Sequence, residues 1–223
     1  LYANIGSLNI SGTLSKYSIC SLGANVSGCE GFLLSYYNAS DKKTYLVVFT
    51  VNNSSNALTV GTPVSISSTA NAVSFIRKTP NGSIVGVIKE SASTSYIFTV
   101  QVSTRTISVK NKTKILSGLT VTNLVDFNII DNSKFVVMYS NSDSGMYVRT
   151  LNYSGATATE NKSHIVNGTT ASDLVKTSGA IAGFGDKFVA VTSYSNGYYK
   201  LHGASLENRG DLYGKEICVD STQ

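Results

Sequence analysis

One pattern recurs along this chain about every fifty residues, and a tandem period of that length restricts the fold more than any other property of the sequence. Four runs, Gly31 to Tyr37, Ser83 to Ile88, Lys134 to Tyr139 and Lys187 to Thr192, resemble one another. Their leading apolar residues Phe32, Ile84, Phe135 and Phe188 stand 52, 51 and 53 apart. A second run follows each, opened by Tyr45, Tyr96, Tyr147 and Tyr199 at spacings of 51, 51 and 52. Two independent landmarks that keep the same period across four units define a repeat.

Each unit divides into four short runs rich in β-branched and aromatic residues, separated by Gly, Asn, Asp and Ser turns. In the second unit the predicted strands are 72–77, 83–89, 96–102 and 106–116, with Pro80-Asn81-Gly82 joining the first two. Asp131-Asn132-Ser133 and Gly185-Asp186-Lys187 are the corresponding turns in the later units. No segment keeps a 3.6-residue apolar period, so essentially no helix is expected. Four antiparallel strands repeated in tandem predict an all-β fold, a β-propeller of four-stranded blades. The period assigns residues 1–20 to a half blade and 21–70, 71–118, 119–169 and 170–219 to full blades. Four and a half blades imply a five-bladed ring or part of a larger propeller, completed by sequence beyond Gln223 or before Leu1. A start at Leu1 without Met or an apolar leader reads as a mature or partial product.

The repeat unit, with its small-residue strand, Asp/Asn-Gly-like turn, Lys-Phe-Val-Val-Met-Tyr strand and Tyr-led strand, resembles the blades of secreted and cell-surface β-propeller proteins. The resemblance covers nearly the whole chain and implies an architecture. The Asp-rich turn of calcium-binding blades is not matched. Ser142 to Tyr147 resembles a sialidase Asp-box in outline, lacks the full motif and reads as an ordinary turn.

Composition enters through surface and compartment. Charged residues are only 14%, so neutral polar side chains must solvate the molecule. The net charge is +5, yet the lysines and arginines are scattered apart from Arg105, Lys110, Lys112 and Lys114. That cluster falls on a predicted outer strand, where alternating lysines, together with Asn111, protect an exposed edge from pairing. No dense basic stripe with stacking aromatics is present, which argues against a nucleic-acid partner. The longest apolar run, Tyr45 to Val51, is far short of the roughly 20 residues that span a bilayer.

Asn-x-Ser/Thr triplets occur at Asn9, Asn25, Asn38, Asn52, Asn53, Asn81, Asn111, Asn152, Asn161 and Asn167. This is about twice the number such a Ser/Thr/Asn-rich composition yields at random, and it predicts an N-glycosylated product of the secretory pathway. Asn111 and Asn161 fall on predicted outer strands and several others in turns. None falls on the clearest inner strands, 72–77, 122–130 and 179–184. In an oxidising compartment Cys20 and Cys29 could close a short loop as a disulfide, leaving Cys218 unpaired or paired outside this segment.

Catalytic sets are sparse. His164 and His202 stand alone, no Cys/His cluster predicts a metal, and no phosphate-cradling glycine loop or cofactor motif appears. Propeller glycosidases need paired carboxylates near one channel mouth. The inner strands offer Asp126, with Glu30 and Asp173 as further candidates, and backbone N–H groups can satisfy Asp126 instead. The expectation is therefore no enzyme, no cofactor and no metal. The chain reads as a secreted or cell-surface glycoprotein module, structural or adhesive, whose partners are other extracellular proteins or copies of itself. Carbohydrate binding by a lectin-type propeller is the first alternative, a degenerate glycoside hydrolase the second. For the lectin, Tyr36-Tyr37 and Tyr198-Tyr199 each place one ring on either face of a strand, leaving one free for surface work.

Overall fold

The computed structural model describes residues 10, 12–143, 145–167, 174–184, 187–195, 197, 199–206 and 212–219. The side chains of 161–167, 184, 204–206 and 212–219 fall outside that description. Among the described residues there is no helix, and seventeen strands form four antiparallel sheets.

The first sheet contains β1 (Leu14–Val26), β2 (Cys29–Asn38), β3 (Lys43–Asn52) and two short outer strands, β4 (Leu58–Val60) and β5 (Val64–Ser67), both paired with β3. The second contains β6 (Val73–Lys78), β7 (Ile84–Ser91), β8 (Thr94–Ser103) and β9 (Thr106–Ile115). The third contains β10 (Val121–Ile129), β11 (Lys134–Asn141), β12 (Met146–Tyr153) and β13 (Ala158–Asn167). The fourth contains β14 (Leu174–Phe184), β15 (Lys187–Tyr194), β16 (Tyr199–Leu206) and β17 (Leu212–Val219). Strand order follows chain order, except that β5 pairs with β3 as β4 does, the up-and-down connectivity of propeller blades. The fold is a four-blade β-propeller.

The chain forms two compact units, residues 1–90 with 97–112, and residues 91–96 with 113–223. In the first, one face of the first sheet packs against the second sheet. Leu33, Leu46 and Val48 from the first and Ile76, Val87 and Ile97 from the second are all fully buried. Gly86 lies under the Phe98 ring, so close that an added Cβ would stand 2.4 Å from Cζ. The outer strand of the first sheet is broken between β4 and β5 at Gly61-Thr62-Pro63, where Pro63 cannot donate to a ladder. Gly61 keeps one bond, N to Val48 O at 2.7 Å, and its Cα approaches the Arg105 carbonyl too closely for a side chain. In the second unit a core of Val136, Met138, Met146 and Val148 meets Ile181, Phe188 and Ala190 of the next sheet.

The Pro80-Asn81-Gly82 turn between β6 and β7 forms as its sequence dictates. Gly82 has φ +87, Thr79 N donates to Ser83 O at 2.8 Å, and the Asn81 carbonyl accepts from Ser83 N at 3.1 Å. The boundary expected between residues 20 and 21 falls inside β1. Leu14–Cys20 thus begin the first full sheet, paired with β2, and are not the outer part of an earlier blade. No Gly or Pro interrupts 13–22, so the strand has no local signal to stop. Residues 1–9, which would carry the rest of that half blade, lie outside the described residues.

Candidate functional site

Registers define two ends in each sheet. One end carries the β2–β3 hairpin and its counterparts together with the connections between sheets; the other carries the β1–β2 type of turn. Chemistry-bearing groups gather at the first.

In the first unit that end holds the turn after Asn38. Tyr45 on β3 stacks on Tyr36 of β2 at 5.5 Å between centroids, and its phenol donates to Asp41 Oδ2. Asp41 Oδ1 accepts from Lys43 N at 3.2 Å. In the second unit Tyr147 stacks on Tyr139 at 5.6 Å and donates to Asp143 Oδ2, while Gly145 N donates to Asp143 Oδ1 at 2.9 Å. The two constellations are repeat-equivalent, since Asp41 and Asp143, and Tyr45 and Tyr147, are each 102 residues apart. The hydrogen bond to the carboxylate, with burial second, pushes Tyr45 and Tyr147 up to about 12. The same phenol, then the Gly145 amide, holds Asp143 below the usual carboxylate range. Sequence reasoning missed these pairs. Their signal is an aspartate four residues before the recurring tyrosine, replaced in the other repeats by Ala92 and Ser195.

The same end of the second unit carries the described buried polar atoms without a hydrogen-bond partner, Ser95 Oγ, Asn141 Oδ1, Ser193 Oγ and Tyr194 OH. Buried polar groups are normally satisfied, and exceptions concentrate where function needs them.

Asp126 has a different place. It is buried in the middle of β10, its Oδ1 accepting from Phe127 N at 2.7 Å and its Oδ2 from Ile181 N of β14 at 2.8 Å. Asn128, two residues on, donates to Ile181 O at 2.7 Å. The two side chains grip one residue of the next sheet by its N–H and its carbonyl, in place of a main-chain ladder. In the first unit Ser18 of β1 does the same for Ile76 of β6, accepting from its N at 3.0 Å and donating to its O at 3.4 Å. Ser18 faces Ser35 and Asp126 faces Met138, 103 residues apart, so the two clamps are equivalent. Glu30 is exposed on β2 and not on an inner strand, because β1 already ends at Val26. Asp173 lies outside the described residues. Asp126 and Glu30 therefore do not form the carboxylate pair that the glycosidase reading needs.

The proposed disulfide is corrected by register. Cys20 faces Leu33 and Cys29 faces Val26 on one hairpin. Cys29 is thus four residues along β2 from the residue opposite Cys20, about 13 Å at strand rise. A bridge tolerates about 7 Å between Cα atoms, and both thiols are free. Burial pushes the Cys20 thiol up to about 11, against the pull of Arg77 and Lys78. The Cys218 side chain lies outside the described residues.

Tyr36 and Tyr37 are both buried, so neither ring is free for surface work. Blades are covered on both faces, and alternation therefore does not expose one of the two. Tyr198 lies outside the described residues, and Tyr199 is 47% exposed. His202 is buried with Nε2 3.2 Å from Thr192 Oγ1; the His164 side chain lies outside the described residues. No group of three or more metal-ligating side chains occurs among the described residues.

The sequon asparagines differ in exposure. Asn53, Asn81, Asn111 and Asn152 are exposed. Asn25 spends its amide on the Thr104 carbonyl, Asn38 is buried, and Asn52 folds its Oδ1 onto Ser54 N and Ser55 N. Asn9 and the side chains of Asn161 and Asn167 lie outside the described residues. Asn53, Asn81 and Asn152 belong to the turn end opposite the Tyr–Asp hairpins, and Asn111 to the outer strand β9. Lys110, Lys112 and Lys114 are exposed on that same strand, and Lys112 also pairs with Glu90 at 2.7 Å.

Neither protein-family models nor curated proteins give a match to this chain. A solved structure does match in fold, that of a candidate 6-phosphogluconolactonase from Bacteroides uniformis, with TM-score 0.59 and 12% identity. The alignment covers 84% of this chain and 52% of that one, so the chain spans about half the length of the protein it resembles. The likeness is one of fold. It corrects the expectation that the chain is not an enzyme, because that comparable fold belongs to a protein described as a candidate 6-phosphogluconolactonase.

Proposed function

We propose that this chain is a recognition module of a secreted or cell-surface glycoprotein, binding another extracellular protein through the hairpin end of its blades. The observation that carries this reading is the division of the surface. Exposed sequon asparagines stand at the opposite turns and on an outer edge, whereas the hairpin ends carry aromatic–carboxylate pairs and no exposed described sequon. A glycan occupies volume and excludes partners, so glycosylated and binding surfaces need to be separate. The test is intact mass of the protein from a eukaryotic secretory host, before and after N-glycosidase treatment. Loss of one glycan mass or more per chain, mapped to peptides holding Asn53, Asn81, Asn111 or Asn152, supports the reading. An unchanged mass overturns it.

A second reading, recognition of carbohydrate, draws on the repeat of the Tyr45–Asp41 and Tyr147–Asp143 pairs. A half-buried ring face beside a fixed carboxylate offers a sugar one stacking surface and one hydroxyl acceptor. Glycan-array binding lost in both Asp41→Ala and Asp143→Ala would favour it over a protein partner.

A further inference from the structure

The repeat gives every sheet two faces, whose burial can be compared position by position. In the second unit the third sheet turns Val136 and Met138 of β11, with Met146 and Val148 of β12, toward the fourth, and all four are fully buried. The fourth sheet carries its equivalents 53 residues on, at Val189, Val191, Tyr199 and Leu201. Val189 is 44% and Tyr199 47% exposed, and Val191 and Leu201 are half-buried. The β11 positions are buried in the other sheets too, as Leu33 and Ser35 in the first and Val85 and Val87 in the second. Register sets Ala180 and Leu201 on either side of Val191, and Ala182 beside Val189, so the fourth sheet presents one apolar face.

The first sheet presents the reverse case. β1 shifts register between Ser15 and Ser18, and beyond the shift Ile19 faces Leu34. The matching inner-strand residues, each opposite the equivalent of Leu34, are Ile76, Phe127 and Ile181, and all three are buried. Ile19 is 54% exposed. Leu34, Phe32 and the Phe49 ring stacked on Phe32 at 5.2 Å lie half-buried on the same face, with Val60 exposed opposite Phe49. Near the hairpin end this face is closed over, with Tyr36 buried; toward Ile19, Phe32 and Val60 it is open.

Among the described residues the exposed large apolar side chains are Tyr17, Ile19, Val60, Val189 and Tyr199, and all belong to the first or the fourth sheet. Packing inside the second unit indicates what such a face takes. The third sheet is covered there by Ile181, Phe188 and Ala190 of the sheet that follows it. Their equivalents in the first sheet are Ile19, Phe32 and Leu34. The first sheet thus displays the set that the fourth-sheet face lacks, and the small Ala180 and Ala182 leave room for its phenylalanine rings. Charge agrees as well. By alternation along the strands, exposed Lys187 lies at the turn end of the fourth-sheet face and exposed Glu30 at the turn end of the first-sheet face.

We propose that the fourth-sheet face docks, head to tail, on the first-sheet face of a second copy of this chain. The contact continues the array of sheets across two chains and removes both apolar faces from water. Being heterologous, it builds a ring or a filament and not a two-fold pair. It goes beyond the partner recognition proposed above and is independent of glycosylation.

Sedimentation velocity at chain concentrations from about 1 to about 100 µM, the weak end of the range for such contacts, tests it. The weight-average mass of the unaltered chain should rise with concentration above that of one copy. Val189→Lys and Ile19→Lys each put an ammonium into the apolar contact and should weaken association about tenfold or more. Mixing the two variants should restore a complex of one copy of each, because one keeps the first-sheet face and the other the fourth. Lys110→Ala, on the outer strand β9, should change nothing. If a variant folds poorly by circular dichroism, carbodiimide coupling of isotope-labelled with unlabelled wild-type chains serves instead, and should join Lys187 of one copy to Glu30 of another. A single-copy mass at every concentration overturns the proposal, as does undiminished association of either lysine variant alone. A mixture that stays unassociated, or coupling that never links the two copies, overturns it equally.

Discussion

Replacing Asp126 by alanine removes the side chain that ties β10 to β14 and leaves two buried backbone donors, Phe127 N and Ile181 N, without their acceptors at 2.7 and 2.8 Å. Phe127 is fully buried and Ile181 is 3% exposed, so water cannot replace the carboxylate without opening the interface. An orphaned buried donor costs about 1–3 kcal/mol, so the pair costs about 2–6 kcal/mol. That is a large part of the 5–15 kcal/mol that holds a typical domain together. Asp126→Asn keeps one carbonyl acceptor and turns an NH2 toward the other donor, so about half the loss is expected, roughly 1–3 kcal/mol. In the first unit, Ser18→Ala removes a neutral hydroxyl from the equivalent clamp and should cost about 1–2 kcal/mol.

Urea unfolding followed by tyrosine fluorescence and far-ultraviolet circular dichroism measures this directly, since the chain has 13 Tyr and no Trp. At a slope of about 2 kcal/mol per M, Asp126→Ala should lower the midpoint by about 1–3 M, with Asp126→Asn between it and wild type. The reasoning fails if Asp126→Ala lies within about 0.5 kcal/mol of wild type, the range of ordinary surface substitutions. It fails more sharply if the variant is stabilised, the behaviour of a carboxylate held for ligand or catalysis at the expense of stability.

Tyr45 and Tyr147 should ionise near pH 12 in a spectrophotometric titration, and Asp143→Asn should return Tyr147 toward 10. Because both folded-state values are raised, the stabilisation by these phenols is complete below pH 10 and is lost as pH rises toward 12. Asp143, whose value is lowered, contributes above its unfolded pKa near 4 and loses that contribution as pH falls below it. Gly86→Ala drives a methyl into the Phe98 ring and should cost about 1–3 kcal/mol, recovered in part by Phe98→Leu in a double-mutant cycle. Thiol mapping of the unfolded, non-reduced chain should find Cys20 and Cys29 both free, and Cys20 in the folded protein should alkylate slowly at neutral pH and faster toward pH 11.

Period and turn chemistry made the sheets legible. The strands expected at 72–77, 83–89, 96–102 and 106–116 appear as Val73–Lys78, Ile84–Ser91, Thr94–Ser103 and Thr106–Ile115. These signals are local, since a strand of alternating or continuous apolar residues closed by Asn-Gly needs no distant information. β1 was not legible because Leu14–Val26, with Ser at 15, 18 and 21, keeps no clean apolar alternation and shifts register twice more after Ser18, so its identity comes from β2 and β6. The same gap misled the cysteine pairing, which spacing suggested and register forbids. Tyr36 and Tyr37 show the limit of period-2 reasoning in a blade: both sheet faces are covered, and alternation no longer separates inside from outside. Lys16 shows another limit, since nothing in its neighbours announces a positive φ.

Asp126 and Ser18 explain why site prediction from a repeat is harder than fold prediction. The fold preserves a position, the middle of an inner strand facing the peptide of the next sheet, and asks only for a side chain that accepts from an N–H. A hydroxyl meets that need in one unit and a carboxylate in the other. Read alone, the carboxylate looks like chemistry and the serine like filler; aligned through their partners Ser35 and Met138, they are the same joint. The converse holds at Lys16. Its residue type is ordinary for an exposed strand end, yet its backbone takes φ +55, which the joint does not require. In a repeat protein the informative residues are those whose cost the repeat itself does not explain, and the inner-strand aspartate, aligned with Ser18, is not one of them.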